Sequence, residues 1–327
     1  MNTAKLGGRS LRAKLREDHV GGRLVAIPVQ PDRLVDDLTD EVLRRLEVQP
    51  ISGAWLRDPL NDTRFRHQTI DAAAILSETP DRLGTLPFSS QTSDSSREGE
   101  IAATIASYID HTLLKPDALP EEIDRLCQEA KQYSFFSVCV NPIYVHRAVS
   151  QLSGTQVVAC AVVGFPLGAT FSDVKAMEAR RAVEEGAGEI DMVLPIGLLR
   201  AGEIEAVKDD ISAVVDACPP GVGVKVILET CLLDEEQKIS ACMAAKEAGA
   251  SFVKTSTGFS SSGATVEDIR LMRREVGQRM GVKASGGIRD FETAQKMVRS
   301  GANRLGASAS VAIASQEPDG PGMNGDY

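Results

Sequence analysis

Aromatic residues make up only 4% of the 327-residue chain, with a single tryptophan, so base-stacking surfaces for nucleic acid are poorly supplied. Positive charge is also in deficit. A net charge of −10 leaves no general electrostatic footprint for a polyanion, and no nucleic-acid partner is expected. No stretch approaches the roughly 18 to 20 apolar residues that a membrane-spanning helix needs. No CxxC pair occurs, and the six cysteines all lie after residue 120, several inside apolar runs; this reads as buried, reduced thiols in a cytoplasmic protein. Histidine is scarce. Of four in all, His19 and His67 lie in the leader, and His111 and His146 alone cannot build a three-histidine zinc site, so no metal and no cofactor are expected. His111, in IDHTLL, reads as a structural histidine with polar neighbours, and Cys139 as a packed core thiol. No GxGxxG opens a helix after a first strand, which removes the usual dinucleotide fingerprint.

What is present divides the chain into unequal parts. Residues 1–100 form an N-terminal extension whose basic residues are nearly all arginine. Within it, Leu34, Leu38, Val42 and Leu46 recur every four residues, predicting an amphipathic helix over 33–46 with Asp32 as its N-cap. The polar, serine-rich stretch 89–100 reads as a linker, and residues 316–327 as a flexible tail. From residue 101 to 315, short β-rich apolar runs alternate with helical segments, the signature of repeated βα units. Strands are expected near 109–113, 136–140, 156–163, 189–193, 224–229, 252–255, 282–285 and 304–306, and helices over segments such as 173–185, 235–248, 265–279 and 291–300. Eight strands in about 215 residues is the count and length of a closed (β/α)8 TIM barrel. The alternative is an open, doubly wound sheet.

In such barrels the chemistry gathers at the C-terminal ends of the strands. Three expected strands embed an ionisable residue in apolar sequence: Asp191 in EIDMV, Lys254 in SFVKTSTG and Lys283 in GVKASGG. Each is expensive to bury unless paired or used, although any one of them taken alone could be a rim residue. A free lysine, with a pKa of about 10.4, offers a neutral amine in only roughly one molecule in 2,500 at pH 7. Partial burial and a second nearby cation both raise that fraction. Two lysines beside an aspartate are therefore apparatus for an imine between an amine and a carbonyl substrate. The glycines and hydroxyls after these strands (Thr255–Gly258, Ser285–Gly287, Gly306–Ser308) suit an anion such as phosphate, or else are ordinary tight turns.

The motifs resemble those of one family. DHTLLKP at 110–116, VCVNP at 138–142, VGFPLG at 163–168, EIDMV at 189–193, FVKTSTG at 252–258 and VKASGGIR at 282–289 occur in order and with plausible spacing. Together they resemble the deoxyribose-phosphate aldolase family over about residues 105–314. That resemblance implies a metal-free class I aldolase that reversibly cleaves 2-deoxy-D-ribose 5-phosphate to D-glyceraldehyde 3-phosphate and acetaldehyde. It implies Lys254 as the Schiff-base lysine, Lys283 as the lysine that lowers its pKa, and Asp191 as a partner of Lys283 and a water in proton transfer. Gly258, Gly286, Gly287 and Ser308 fall where the family binds sugar phosphate. One departure concerns the last loop, where Ala309 stands where some members carry a second serine. Other lysine-using phosphate-sugar barrels, such as transaldolase-like enzymes, and an inactive scaffold whose leader does the work are the rival readings. For the leader itself, an appendage packed on the barrel, a contact within a homo-oligomer, and a helix over 33–46 that docks on a bacterial microcompartment shell are the candidate roles.

Overall fold

The computed structural model describes residues 104–316 and, before them, a two-residue antiparallel pair, Leu15–Arg16 with Val25–Ala26. The expected helix over 33–46, the linker 89–100 and the tail after 316 lie outside the described residues.

Residues 104–316 build eight parallel strands: β1 (Ile109–Leu113), β2 (Ser137–Val140), β3 (Val158–Val163), β4 (Glu189–Val193), β5 (Gly223–Ile227), β6 (Phe252–Lys254), β7 (Gly281–Ser285) and β8 (Arg304–Ala307). Each pairs with the next in order, and β8 pairs with β1 through Leu305 and Ile109, so the sheet closes on itself. This is a (β/α)8 TIM barrel. The helices are α1 (Pro120–Tyr133), α2 (Val145–Leu152), α3 (Ser172–Glu184), α4 (Ile196–Arg200), α5 (Ile204–Ala217), α6 (Glu235–Glu247), α7 (Val266–Val276), α8 (Phe291–Arg299) and α9 (Ser310–Ser315).

Strand alternation divides two kinds of core. Outward-facing Val138, Ala161, Ile190, Met192, Val224, Val226, Val253, Val282, Ala284 and Leu305 pack into one large apolar cluster with helix residues such as Ile123, Ile211 and Met272. The intervening positions face into the barrel, and several of them are charged. Strands buried on both faces in this way read as near-continuous apolar runs broken by single ionisable residues, which is why they were visible in the sequence. At the N-terminal end of β7 only a hydrogen fits: a Cβ on Gly281 would lie 2.1 Å from the Phe252 ring.

Strands β1 and β4 have the expected bounds, and elsewhere boundaries shift by at most three residues. Helix α7 starts where Thr265 accepts a hydrogen bond from the Asp268 amide, and it stops at Val276 because Gly277 turns to φ +75°. Strand β5 stops at Ile227, short of the expected 229, because Glu229 adopts a left-handed conformation (φ +58°, ψ +60°).

Candidate active site

Seven charged side chains meet inside the barrel, all nearly or fully buried: Asp110 from β1, Glu189 and Asp191 from β4, Lys225 from β5, Lys254 from β6, Lys283 from β7 and Arg304 from β8. Strand register brings them together. Asp191 sits opposite Lys225, Lys254 opposite Lys283, and Lys283 opposite Arg304.

Asp191 is the hub. Its Oδ2 accepts from Lys254 Nζ at 2.7 Å and from Lys283 Nζ at 2.8 Å, while its Oδ1 accepts from Lys225 Nζ at 2.9 Å. Below it, Lys225 also reaches Glu189 at 2.7 Å, and Arg304 holds both Asp110 and Glu189 at 2.9 Å. Lys283 Nζ forms an ion pair with Asp110 Oδ2 at 2.6 Å without hydrogen-bond geometry. The Arg304 guanidinium lies 3.4 Å from the centre of the Phe136 ring, so its other face is covered by an aromatic surface.

The charges do not balance. Four cations touch three carboxylates, and in a dry interior an uncompensated charge is costly. The shortfall is unevenly shared. Among the described residues, Lys225, Lys283 and Arg304 each have two or more carboxylate partners, whereas Lys254 has Asp191 alone. Burial alone would raise the Asp191 carboxyl, but Lys225, Lys254 and Lys283 outweigh it and hold it well below the usual carboxylate range. Asp110 is lowered in the same way against its own burial, by Arg304, Lys283 and Lys225. Burial works to discharge Lys283, yet Asp110 and Asp191 prevail and keep it a firm cation. Lys225 is likewise raised, chiefly by Asp191, despite its burial.

These shifts fix a direction for acid stability. The carboxylates of Asp110 and Asp191 stay ionised in the folded barrel at a pH where the unfolded chain has already taken up protons. The stability they confer is therefore present above about pH 4 and is lost as pH falls further towards their folded values. Thermal unfolding between pH 2 and 7 is expected to show a melting temperature that drops steeply below about pH 4; a flat profile down to pH 2 would contradict this charge assignment.

Two thiols line the same interior. Cys139 and Cys160 lie opposite each other on β2 and β3, and Cys160 Sγ donates to Asp191 Oδ1 at 3.1 Å. With Asp191 they bring their donor atoms within 4.8 Å of one another, which resembles a metal-ligand set. The surroundings suit a metal poorly, because a divalent cation there would face the ammonium groups of Lys225, Lys254 and Lys283. His111 is buried on β1, and its Nε2 bonds Glu129 of α1 at 2.7 Å, away from the charged cluster.

The glycine-bearing loops follow β6, β7 and β8 side by side. Thr255 and Ser285 exchange hydrogen bonds at 3.0 Å, and the Ser285 hydroxyl donates to the Ser256 carbonyl at 2.7 Å. Gly258, Gly286 and Gly287 all have positive φ, at +90°, +85° and +78°. Gly286 lies so close to the other loop that a Cβ on Gly263 would fall 2.1 Å from the Gly286 carbonyl oxygen. Ser308 is half-buried just before α9. Ser310 does not stand in for a hydroxyl at 309: it is buried, and its Oγ donates to the Ala307 carbonyl. Gly258 also does not lead straight into a helix, since α7 begins only at Val266.

Sequence comparison matches residues 104–320 to the model of the DeoC/LacD family aldolases. The chain belongs to the DeoC/LacD aldolase family. This aldolase, a carbon–carbon lyase, is 60% identical over 209 residues to the deoxyribose-phosphate aldolase of Natranaerobius thermophilus, covering 64% of this chain and 95% of that relative. The corresponding protein of Caldanaerobacter subterraneus subsp. tengcongensis is 56% identical over 219 residues, covering 66% of this chain and 95% of its own length. Among solved structures, a putative deoxyribose-phosphate aldolase from Coccidioides immitis superposes with a TM-score of 0.64 at 41% identity, over 74% of this chain and 93% of that one. The deoxyribose phosphate aldolase from Aeropyrum pernix, described as uniquely tetrameric, gives 0.62 at 36% identity, over 65% of this chain and 91% of that one. The family model begins only at residue 104 of this aldolase, and docking on a microcompartment shell through residues 33–46 is not supported.

Lys254, Lys283 and Asp191 thus meet at one point. The sequence reading passed over Lys225, Asp110, Glu189 and Arg304. Lys225 carried the same signal, a lysine within the apolar strand GVKVI. Glu189 and Arg304 open their strands, where a charged residue looks like an exposed rim position.

Proposed function

We propose that this aldolase reversibly cleaves 2-deoxy-D-ribose 5-phosphate to D-glyceraldehyde 3-phosphate and acetaldehyde through a Schiff base on Lys254. The observation that carries this reading is the single carboxylate oxygen of Asp191 shared by the two ammonium groups of Lys254 and Lys283, in a cluster with one cation too many. Among the described residues, Lys254 is the one cation of the four with a single carboxylate partner, which singles out its amine as the nucleophile.

The steps follow from the amine. Neutral Lys254 Nζ adds to the C1 carbonyl of the open-chain sugar, and the carbinolamine loses water to give a protonated imine. Removal of the C3 hydroxyl proton lets those electrons form a C3 carbonyl as the C2–C3 bond breaks. Its electron pair passes into the imine as an enamine, and glyceraldehyde 3-phosphate leaves. Protonation at C2 and hydrolysis then release acetaldehyde and restore the amine. Lys283, kept cationic by Asp110 and Asp191, supplies a fixed positive charge beside the reacting nitrogen. Asp191 orients Lys254 and, with Lys283 and a water, passes protons; its strength as a base grows only as positive charge leaves the cluster. Gly258, Gly286, Gly287 and Ser308 take the phosphate at the three adjacent loops. No metal or organic cofactor enters this scheme. A cytoplasmic location accords with six free cysteines. Among the described residues, no helix is long and apolar enough to cross a membrane.

Borohydride reduction in the presence of acetaldehyde, followed by peptide mass spectrometry, tests the assignment. An ethyl adduct on Lys254 is expected. An adduct confined to another lysine, or none, would refute it.

A further inference from the structure

Glu229 is an anomaly beside the anion-binding loops. It is a non-glycine residue in the left-handed region and is only 2% exposed, yet it carries a carboxylate at the mouth of the barrel, two residues beyond β5. A side chain tolerates that backbone only where its surroundings over-determine it, and such positions concentrate at functional sites. The surroundings here are specific. Both carboxylate oxygens of Glu229 accept from the Thr257 amide at 3.3 Å, and Oε2 also accepts a short bond from the Thr257 hydroxyl. That same Thr257 hydroxyl oxygen accepts from the Phe259 amide at 3.0 Å. One carboxylate therefore holds the loop on either side of Gly258, which takes part in none of these bonds and turns at φ +90°. The chain continues to Phe259, whose ring meets Phe165, from the loop after β3, edge to face at 5.3 Å. On the other side, the Thr230 amide donates to the Thr255 carbonyl at 3.0 Å, which ties the residue after Glu229 to the residue after Lys254. Burial pushes the Glu229 carboxyl upward, opposed by its bonds from Thr257 and by the charge on Lys254.

We infer that Glu229 is a positioning residue for phosphate recognition: it clamps Thr257 and Phe259 so that the backbone at Gly258 is presented to the phosphate of the substrate. The inference rests on the aldolase reading of the site and deepens it. The arrangement places a negative charge under an anion site, where it opposes phosphate; the bonds from Thr257 lessen that opposition without cancelling it. The clamp thus serves geometry at an electrostatic cost, and the test separates the two contributions.

Thr257→Val keeps the shape of the side chain and the charge of Glu229 but removes the hydroxyl bridge. It is expected to raise KM for 2-deoxyribose 5-phosphate by about tenfold, the scale of one charge-assisted hydrogen bond, with kcat within about threefold of wild type. With unphosphorylated 2-deoxyribose, kcat/KM is expected to stay within about twofold. Glu229→Gln retains one acceptor and removes the opposing charge, so its preference for the phosphorylated sugar should fall between that of wild type and that of Thr257→Val. Binding of inorganic phosphate, measured by calorimetry on the same three proteins, needs no turnover and should weaken in the same order. If the ratio of kcat/KM for the two sugars is unchanged in both variants, or phosphate binds them as it binds wild type, the clamp is merely structural and the inference is wrong. A wild-type protein that binds phosphate but turns over neither sugar would instead defeat the aldolase reading, leaving the binding order to judge the clamp.

Discussion

Lys254→Leu is expected to lower turnover of deoxyribose 5-phosphate by at least about 10⁴-fold, because the proposed covalent intermediate forms on this amine. The same change is expected to leave the barrel as stable as wild type or more so. A buried lysine that donates to a carboxylate would ordinarily be missed, at about 3 to 5 kcal/mol for a broken buried pair. Here the pair is not isolated. Asp191 keeps Lys225 at 2.9 Å and Lys283 at 2.8 Å after Lys254 is gone, and the cluster goes from four cations against three carboxylates to three against three. Replacing a poorly compensated ammonium by an apolar group of similar size is then neutral or favourable, by up to about 4 kcal/mol. Urea denaturation of the two proteins at pH 7 decides the matter. A destabilisation of several kcal/mol would mean that Lys254 is a structural counter-ion of Asp191, and the charge argument for its reactivity would fail.

Lys283→Leu should behave in the opposite way on stability. Lys283 bridges Asp110 and Asp191, so its loss leaves two buried carboxylates short of a partner and is expected to cost about 3 to 5 kcal/mol. Activity at pH 7 is expected to fall by about 10² to 10³, because the fixed positive charge that Lys283 holds beside the reacting nitrogen is gone. Initial rates at pH 7 measure this. A Lys283→Leu protein with wild-type turnover would show that the Lys283 charge plays no part at the reacting nitrogen. The two lysines donate to the same oxygen, so opposite stability effects from equivalent substitutions would be hard to obtain from packing alone.

Much of this site was legible before the fold was known, for a definite reason. Asp191, Lys254 and Lys283 interrupt strands that are otherwise apolar on both faces, and an ionisable residue there is conspicuous because burial is costly. Lys225 interrupts its strand in the same way and could have been found by the same rule. Glu189 and Arg304 could not, because they open their strands and nothing local distinguishes a buried strand start from a wet one. Glu229 was hidden for a different reason. In sequence it continues the apolar run of β5, whereas in the structure the chain turns left-handed at that residue and folds the carboxylate over the loop after β6. The anion loops were readable as glycine and hydroxyl clusters, but the reading did not show that Ser310 turns its hydroxyl back to the Ala307 carbonyl.

The order of apolar runs and helical segments by itself determined the repeated βα unit, the number of strands and the placement of two lysines and one aspartate on them. Those are local properties, set by side-chain periodicity and the energetic cost of burying charge. Closure of the barrel decided the rest. It set β8 beside β1 and paired Arg304 with Asp110 across 194 residues of sequence, and it gathered four cations on three carboxylates. A charge balance of that kind belongs to no segment of the chain, because Coulomb energy depends on distances that exist only once all eight strands share one interior.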